Sequence, residues 1–437
     1  MGCRTDVIQL NRPNSQSQSA TGNTPEETAL SQPKPASHLV IQIDRRIVSP
    51  GKVSNITATG GVLPYSFAIQ SGPGTIPFVY GSKVTFLAPQ TAGVTTIQVS
   101  DAAGSTDEAT ITTEIEASSS LAPPNDPLFS QLTGLTQVQA LDAWKVNTDC
   151  SKIIIGVLDS GIDTSHPDLQ SNIYRIPSED GSPSDTLGGH NFVSESSNVM
   201  DDHYHGTHVS GIIGAAGNNS VGTTGVCWRA SILPLKILDS TNAGTTSDLI
   251  DAIQYGIDKG VKIFNASLIN FPNNELLKNK IMAAGDAGAL FIASAGNSGV
   301  NNDVTPSYPA SFGVSNIISV AAIDPTTSDL ASFSNFGSKS VHIAAPGVGI
   351  ISTLPLVQTK AMKSSNIPPF AGKRSGTSMA VPFVVGVAAL VWNANPGWTM
   401  SQVKSWVLDQ ANSVTKLNDK IQGSRGLNAK KSLSFSQ

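Results

Sequence analysis

Charge is scarce in this chain. Asp, Glu, Lys and Arg make up 14% of 437 residues, with a net charge of −5 and an isoelectric point near 5.8. So light and slightly acidic a balance argues against nucleic acid or an anionic membrane as main partner. Long apolar runs are missing too. No stretch approaches the ~18 consecutive apolar residues of a membrane span, and residues 1 to 36 hold no signal-peptide h-region. The 39 Gly and 26 Pro follow no collagen-like period and suit many tight turns instead. What is present, 39% hydrophobic residues in a long chain, describes a soluble globular protein of two or three domains.

The first 36 residues are Ser-, Gln-, Thr- and Pro-rich and read as a disordered polar tether. Gly2-Cys3 ahead of a polar tail looks like the end of a bacterial lipoprotein cleavage box without its upstream apolar half. The alternative is an incidental Cys. N-myristoylation is disfavoured, because position 6 is Asp. Residues 37–117 then show short alternating runs and no helical period. In the last of these, Ala109, Ile111, Thr113 and Ile115 alternate with Thr110, Thr112, Glu114 and Glu116, giving an antiparallel strand one core face and one wet face. Roughly seven such runs divided by Gly- and Pro-containing turns predict an all-β sandwich. Around Gly60-Gly61-Val62-Leu63-Pro64-Tyr65 it resembles Ig-like modules of bacterial surface proteins. Its expected role is spacer or folding partner. Residues 118–127 read as a linker.

Beyond residue 128 the period changes. Apolar runs at 153–158, 232–238, 261–266, 289–294, 317–322 and 340–344 alternate with helical stretches. Strands so apolar are buried on both faces, which predicts an α/β domain over 128–434 with a mostly parallel sheet flanked by helices. Cys150 and Cys227 each precede one of these runs. On neighbouring parallel strands they would share one end of the sheet and could form a disulfide, as suits an oxidising compartment; the alternative is two reduced, half-buried thiols.

Four glycine-flanked segments carry the chemistry: Asp159-Ser160-Gly161, His205-Gly206-Thr207-His208, Ala295-Gly296-Asn297-Ser298-Gly299 and Gly376-Thr377-Ser378-Met379-Ala380. An acid, a base, an amide donor and a hydroxyl in this order describe serine-nucleophile acyl transfer. The runs after His205 and Ser378 are small and apolar all round, so each of those residues opens a buried helix. His205 is preferred as base to His208, one turn inside and read as structural, and to His203, read as loop surface. Asp163 competes with Asp159 but lies in the turn beyond the strand and is expected to be solvated.

These segments resemble the subtilisin-like serine proteases, the subtilases, over about residues 128 to 434, and the Asp–His–Ser order is that of subtilisin. The resemblance implies that Asp159 orients the imidazole, His205 is base and then acid, and Ser378 is the nucleophile. Asn297 and the Ser378 amide would hold the oxyanion, with Thr377 in support. It implies a peptide bound as an added strand along Ser267, Leu268 and Ile269 and along Ser294, Ala295 and Gly296, with Ser307 at the S1 floor. Ile269-Asn270 stands where the family usually has a glycine pair, which puts the upstream subsites in doubt. A medium-sized apolar or uncharged P1 residue is expected.

Structural calcium is expected at Asp168, with Asn218 of the loop Gly217–Gly222, and no cofactor for catalysis; the alternative is an Asp capping a turn. Residues 37–117 lack the two amphipathic helices of the family's inhibitory pro-domain. The expected activity is a monomeric serine endopeptidase acting on proteins or peptides outside the cytoplasm. It would be secreted, or tied to the cell envelope only through a lipid on Cys3. A catalytically inactive, subtilase-fold adhesin is the alternative, and an esterase with the same triad a lesser one.

Overall fold

A computed structural model describes residues 38–435, except 90, 114–121, 179–181 and 183. Cys3, the expected tether and residues 118–121 of the expected linker lie outside the described residues. Contacts divide the chain into two compact units, Met1–Ser118 and Ser119–Gln437.

In the first unit, strands Val40–Ile43, Val53–Thr59, Lys83–Leu87 and Thr75–Tyr80 form one antiparallel sheet in that order. Ile47–Val48, Thr106–Thr113, Gly93–Ser100 and Ser66–Ser71 form a second sheet, parallel at its first pairing and antiparallel at the other two. Both contribute to a single apolar cluster that includes Ile56, Phe86, Ile97 and Ile111. The alternation read for the last run holds where it is described: Ala109, Ile111 and Thr113 are buried, while Thr110 is exposed.

The second unit is built on a nine-stranded sheet. Its order is His190–Asn191, Arg229–Lys236, Asp149–Asp159, Ile263–Ala266, Leu290–Ser294, Ile317–Ile323, Ile343–Pro346, Arg425–Gly426 and Asn412–Ser413. Every pairing is parallel but the last. Alternation along Asp149–Asp159 explains the helices on both faces. Ile153, Ile155 and Val157 join the core that holds helices His205–Gly214 and Thr377–Ala394. Ile154 and Leu158 face the core of helices Thr246–Asp258 and Glu275–Asp286. Gly156 lies between: a Cβ there would stand 3.1 Å from the side chains of Leu235 and Phe264.

After Asp149–Asp159 the chain adds two strands on one side, the edge strand His190–Asn191 and then Arg229–Lys236 between them, before it crosses to Ile263–Ala266 on the other. The sheet therefore reverses beside Asp159. Open α/β sheets bind ligands outside the carboxyl ends of the strands at such a point.

All six predicted apolar runs contribute a strand, with shifted ends. The run 232–238 ends its strand at Lys236, because the Ile237 and Leu238 N–H groups turn to the Asp159 carbonyl, 2.9 and 3.2 Å. The run 340–344 becomes Ile343–Pro346. The two-residue edge strands and the antiparallel hairpin Ile350–Leu354 with Phe370–Arg374 have no apolar run to announce them. Helix Thr377–Ala394 is long and apolar enough to pass for a membrane span, with mean hydropathy 1.6, but 89% of it is buried inside the protein. Cys150 and Cys227 are joined in a disulfide with Cα atoms 5.8 Å apart; the strands that carry or follow them pair Asp149 with Arg229.

Candidate active site

Asp159 is the last residue of its strand and has no solvent exposure. Its Oδ1 accepts the Ser160 N–H at 2.7 Å, and His205 Nδ1 lies 2.8 and 2.9 Å from Oδ1 and Oδ2. That grip leaves Nε2 as the imidazole's working atom. Burial disfavours the imidazolium, but the charge of Asp159, its hydrogen bond and the charge of Asp201 outweigh it, so the His205 pKa is raised.

His205 is also the first residue of its helix, whose leading N–H groups need acceptors from outside. Asp201 and Ser160 supply them. Asp201 Oδ2 accepts the Thr207 N–H (2.9 Å) and hydroxyl (2.6 Å), and Oδ1 accepts the His203 N–H (3.0 Å) and the Ser160 hydroxyl (2.9 Å). Ser160 Oγ in turn accepts the Gly206 N–H at 3.0 Å. The turn after Asp159 and the helix start at His205 are thus tied through one buried carboxylate. Beneath them the buried Lys236 ammonium donates to the Ser160 carbonyl (2.6 Å), Asp202 (2.7 Å) and the Leu238 carbonyl (2.8 Å).

Ser378 sits in the first turn of helix Thr377–Ala394. Pro382, four residues on, has no N–H to give the Ser378 carbonyl. The Ser267 hydroxyl fills that vacancy, donating to the Ser378 carbonyl at 2.8 Å, while Ser378 Oγ donates back to the Ser267 carbonyl at 3.2 Å. Among the described residues no hydrogen bond joins Ser378 Oγ to His205; free-enzyme geometry is often looser than in the substrate complex. Asn297 Oδ1 accepts both the N–H and the hydroxyl of Thr377, each at 2.8 Å. With its oxygen so occupied, the Asn297 NH₂ is left to donate elsewhere.

A cleft of about 540 Å³ joins these groups. Its lining includes His205, Ser378, Asn297, Ser267, Leu268 and Ile269. Ser294, Ala295, Gly296 and Ser307 are not in that lining. Ser294 and Ala295 are fully buried, and the Ser294 hydroxyl holds the Leu268 carbonyl at 2.6 Å. Gly296 has a positive φ of 118°, and a Cβ there would meet Asn335 Nδ2 at 2.3 Å and Ser307 Oγ at 3.2 Å. Ile269 and Asn270 both line the cleft, Asn270 in a left-handed conformation (φ 64°).

The competing residues are placed by their partners. His208 is buried, with Nε2 3.0 Å from the Gly372 carbonyl and its pKa pushed down to about 3 by burial. His203 is half-buried rather than loop surface, stacked on Tyr204, and pushed down to about 4 by burial and the charge of His205. Asp163 is not solvated: it is buried and caps turns, accepting the Ser165 and Leu356 N–H groups at 3.0 and 2.8 Å. Sequence reasoning missed Asp201 and Lys236. Only Asp201 left a signal, as an acid four positions before a helix start.

Of the calcium candidates, Asp168 is fully buried and Asn218 is not beside it: the Asn218 side chain accepts the Asn125 N–H at 3.2 Å. The neighbour is Asn219, whose amide donates to Asp168 Oδ1 at 3.0 Å, while the Thr223 N–H donates to Oδ2 at 2.8 Å. Asp126 accepts the Asn218 and Asn219 N–H groups at 2.8 and 3.1 Å. Burial raises the pKa of both carboxylates, and the charge of Asp126 adds to the rise at Asp168. No Lys or Arg pairs with either among the described residues. Nor do three His, Cys, Asp or Glu gather anywhere among them as a metal cluster. Two buried acids without a Lys or Arg partner fit a hard ion that also takes carbonyl oxygens, while the Asn219 amide faces Asp168 with its nitrogen, its oxygen accepting the Val221 N–H at 2.8 Å.

An open α/β sheet with a buried acid–imidazole pair and a helix-borne serine at its reversal point defines the class, a serine hydrolase. The chain belongs to the subtilase family, whose model matches residues 151–426, and it is a subtilisin-like serine peptidase. Thermitase of Thermoactinomyces vulgaris is 34% identical over 293 residues, 67% of this chain and 92% of thermitase. Subtilisin NAT of Bacillus subtilis subsp. natto is 37% identical over 273 residues, 62% of this chain and 63% of that protein. Among solved structures, a cold adapted subtilisin-like serine proteinase superposes with TM-score 0.53 at 26% identity, over 65% of this chain and 91% of that one. A protease of Pseudoalteromonas arctica gives 0.59 at 25% identity, over 72% and 99%.

Proposed function

We propose that the protein is an endopeptidase in which Asp159, His205 and Ser378 act as a triad with Asn297 as oxyanion donor. The observation that carries this is the doubly hydrogen-bonded Asp159–His205 pair opening on the same cleft as Ser378 and Asn297. A peptide would lie along Ser267, Leu268 and Ile269. Rotation of the Ser378 side chain brings its hydroxyl from the Ser267 carbonyl to His205 Nε2. Nε2 takes the proton as Oγ attacks the scissile carbonyl, and Asp159 stabilises the imidazolium. The oxyanion is met by Asn297 Nδ2 and by the Ser378 N–H, which has no helical acceptor in the first turn. The imidazolium then gives its proton to the departing amine, and water releases the acyl group by the reverse use of the same base. Quenched fluorescent casein tests this: cleavage is expected for the wild type and lost in Ser378→Ala. Equal signals from the two would overturn the protease reading in favour of an inert, adhesive protein.

The buried disulfide supports action in an oxidising space outside the cytoplasm. We propose that the β-sandwich is an Ig-like spacer and that Cys3 carries a lipid; mass spectrometry of the native N-terminus reads the latter. We expect a monomer. Calcium would be held by Asp126 and Asp168, and would neutralise two buried acids. Melting curves in calcium and in EDTA test it, a higher midpoint being expected with calcium and coincident curves overturning it.

A further inference from the structure

Asn265 is out of place in its strand. Side chains alternate along Ile263–Ala266. Ile263 joins the core that holds helix Thr377–Ala394, while Phe264 and Ala266 join the core on the opposite face. Asn265 therefore points toward the helix of Ser378. Its neighbours in register across the sheet are Val157 and Ile292, both in that same apolar core. Asn265 has no solvent exposure, and its Oδ1 is buried with no hydrogen-bond partner among the described residues. An orphaned acceptor destabilises the fold, which an apolar residue of like shape would not do.

The other end of the amide is occupied. Nδ2 donates to Ser267 Oγ at 3.0 Å, and Ser267 Oγ donates to the Ser378 carbonyl at 2.8 Å. A hydroxyl has one proton, and an amide NH₂ can only donate. The NH₂ thus takes the accepting side of the Ser267 hydroxyl and leaves its proton for the carbonyl. That carbonyl is the one Pro382 leaves without a helical N–H. Turned over, the amide oxygen would compete for the same proton, so the orphaned Oδ1 follows from the orientation that serves Ser378.

We propose that Asn265 is a positioning residue for the catalytic serine. Through the Ser267 hydroxyl it holds the Ser378 carbonyl, and with it the helix turn that aims Oγ. This rests on the protease reading. Ser267 grips the serine twice, since its own carbonyl accepts the resting Ser378 Oγ at 3.2 Å. Asn265 is not in the cleft lining; its influence runs through the direction of one hydrogen bond. Reaction rates are steep in such placement, a misplacement of about 1 Å costing on the order of 10²-fold.

In Asn265→Leu the donor and the orphaned acceptor go together. With a quenched peptide and the full-length protein, kcat is expected to fall about tenfold with KM nearly unchanged, while the melting temperature holds. Asn265→Ala removes the same donor but leaves a cavity. It should show the same fall in kcat at a lower melting temperature, which separates misplacement of Ser378 from loss of fold. In a Ser267→Ala background, Asn265→Leu is expected to lower kcat no further, because its route to Ser378 is gone. A readout without turnover comes from the sequence, in which Ser378-Met379 is the only Ser-Met pair. Isotopic labelling of serine carbonyl carbons and methionine nitrogens therefore isolates the Ser378 carbonyl resonance. Asn265→Leu should move it upfield, as Ser267→Ala does. Should the wild type cleave no peptide, the protease reading fails while this resonance still decides whether Asn265 governs the carbonyl. An unchanged kcat in Asn265→Leu, additive losses in the double variant, or an unmoved resonance overturns the proposal.

Discussion

Asp201→Asn separates what holds the catalytic base from the base itself. In the wild type four donors converge on this buried carboxylate, two on each oxygen. An Asn offers one oxygen and one NH₂, so one pair of donors, either Ser160 with His203 or the two of Thr207, loses its acceptor. Unmaking hydrogen bonds to a buried charge costs about 1.5–3 kcal/mol each, part of which relaxation and the smaller cost of burying a neutral amide return. A loss of about 2–4 kcal/mol of stability at pH 8 is expected in denaturant titration.

The second consequence is on activity. Charged or titratable groups around the carboxylate are Asp159, His203, His205, Asp202 and Lys236. Burial, with the charge of Asp159, raises Asp201 to about 6, so it is ionised above that pH and then favours the His205 imidazolium. The base works unprotonated, and a raised His205 pKa sets the acid limb of kcat/KM above pH 6.5. Removing the Asp201 charge lowers that pKa, so the limb should move to lower pH even as kcat falls through misalignment. A merely structural role predicts lower kcat with an unmoved limb. A limb that stays put or moves to higher pH, or a stability loss below about 0.5 kcal/mol, would refute the reasoning.

Asn297→Ala should lower kcat about 10²–10³-fold with little change in KM, the scale an oxyanion-hole Asn carries in subtilisin itself; a loss under tenfold would leave the oxyanion to other donors. Ser267→Ala strips the carbonyl that Pro382 leaves open of its donor and should cost about 1–3 kcal/mol in chemical denaturation, with a fall in kcat as the Ser378 turn loosens. Cys227→Ser opens a link spanning 77 residues. Loop-closure entropy for that length is about 4.5 kcal/mol, so its melting temperature should fall well below that of the wild type in non-reducing buffer.

How much of this was legible beforehand follows from which interactions are local. The α/β fold is legible in runs apolar on both faces, and residues such as Ile153, Ile155 and Leu158 carry their burial in their own chemistry. All six runs contribute strands. Their ends were less readable, because an end is decided by a partner: Ile237 leaves the sheet only because the Asp159 carbonyl claims its N–H. The same division runs through the site. The structure brings Asp159 to His205, and His205, Asn297 and Ser378 to one cleft; the glycines beside them, which mark tight backbone, are a signal in sequence. Asp163 was misjudged as solvated, since its cover comes from Leu356, 193 residues away. Asn218 was expected beside Asp168, but the amide that meets Asp168 is that of Asn219, because which of two adjacent amides turns inward depends on a left-handed residue at 218 (φ 59°).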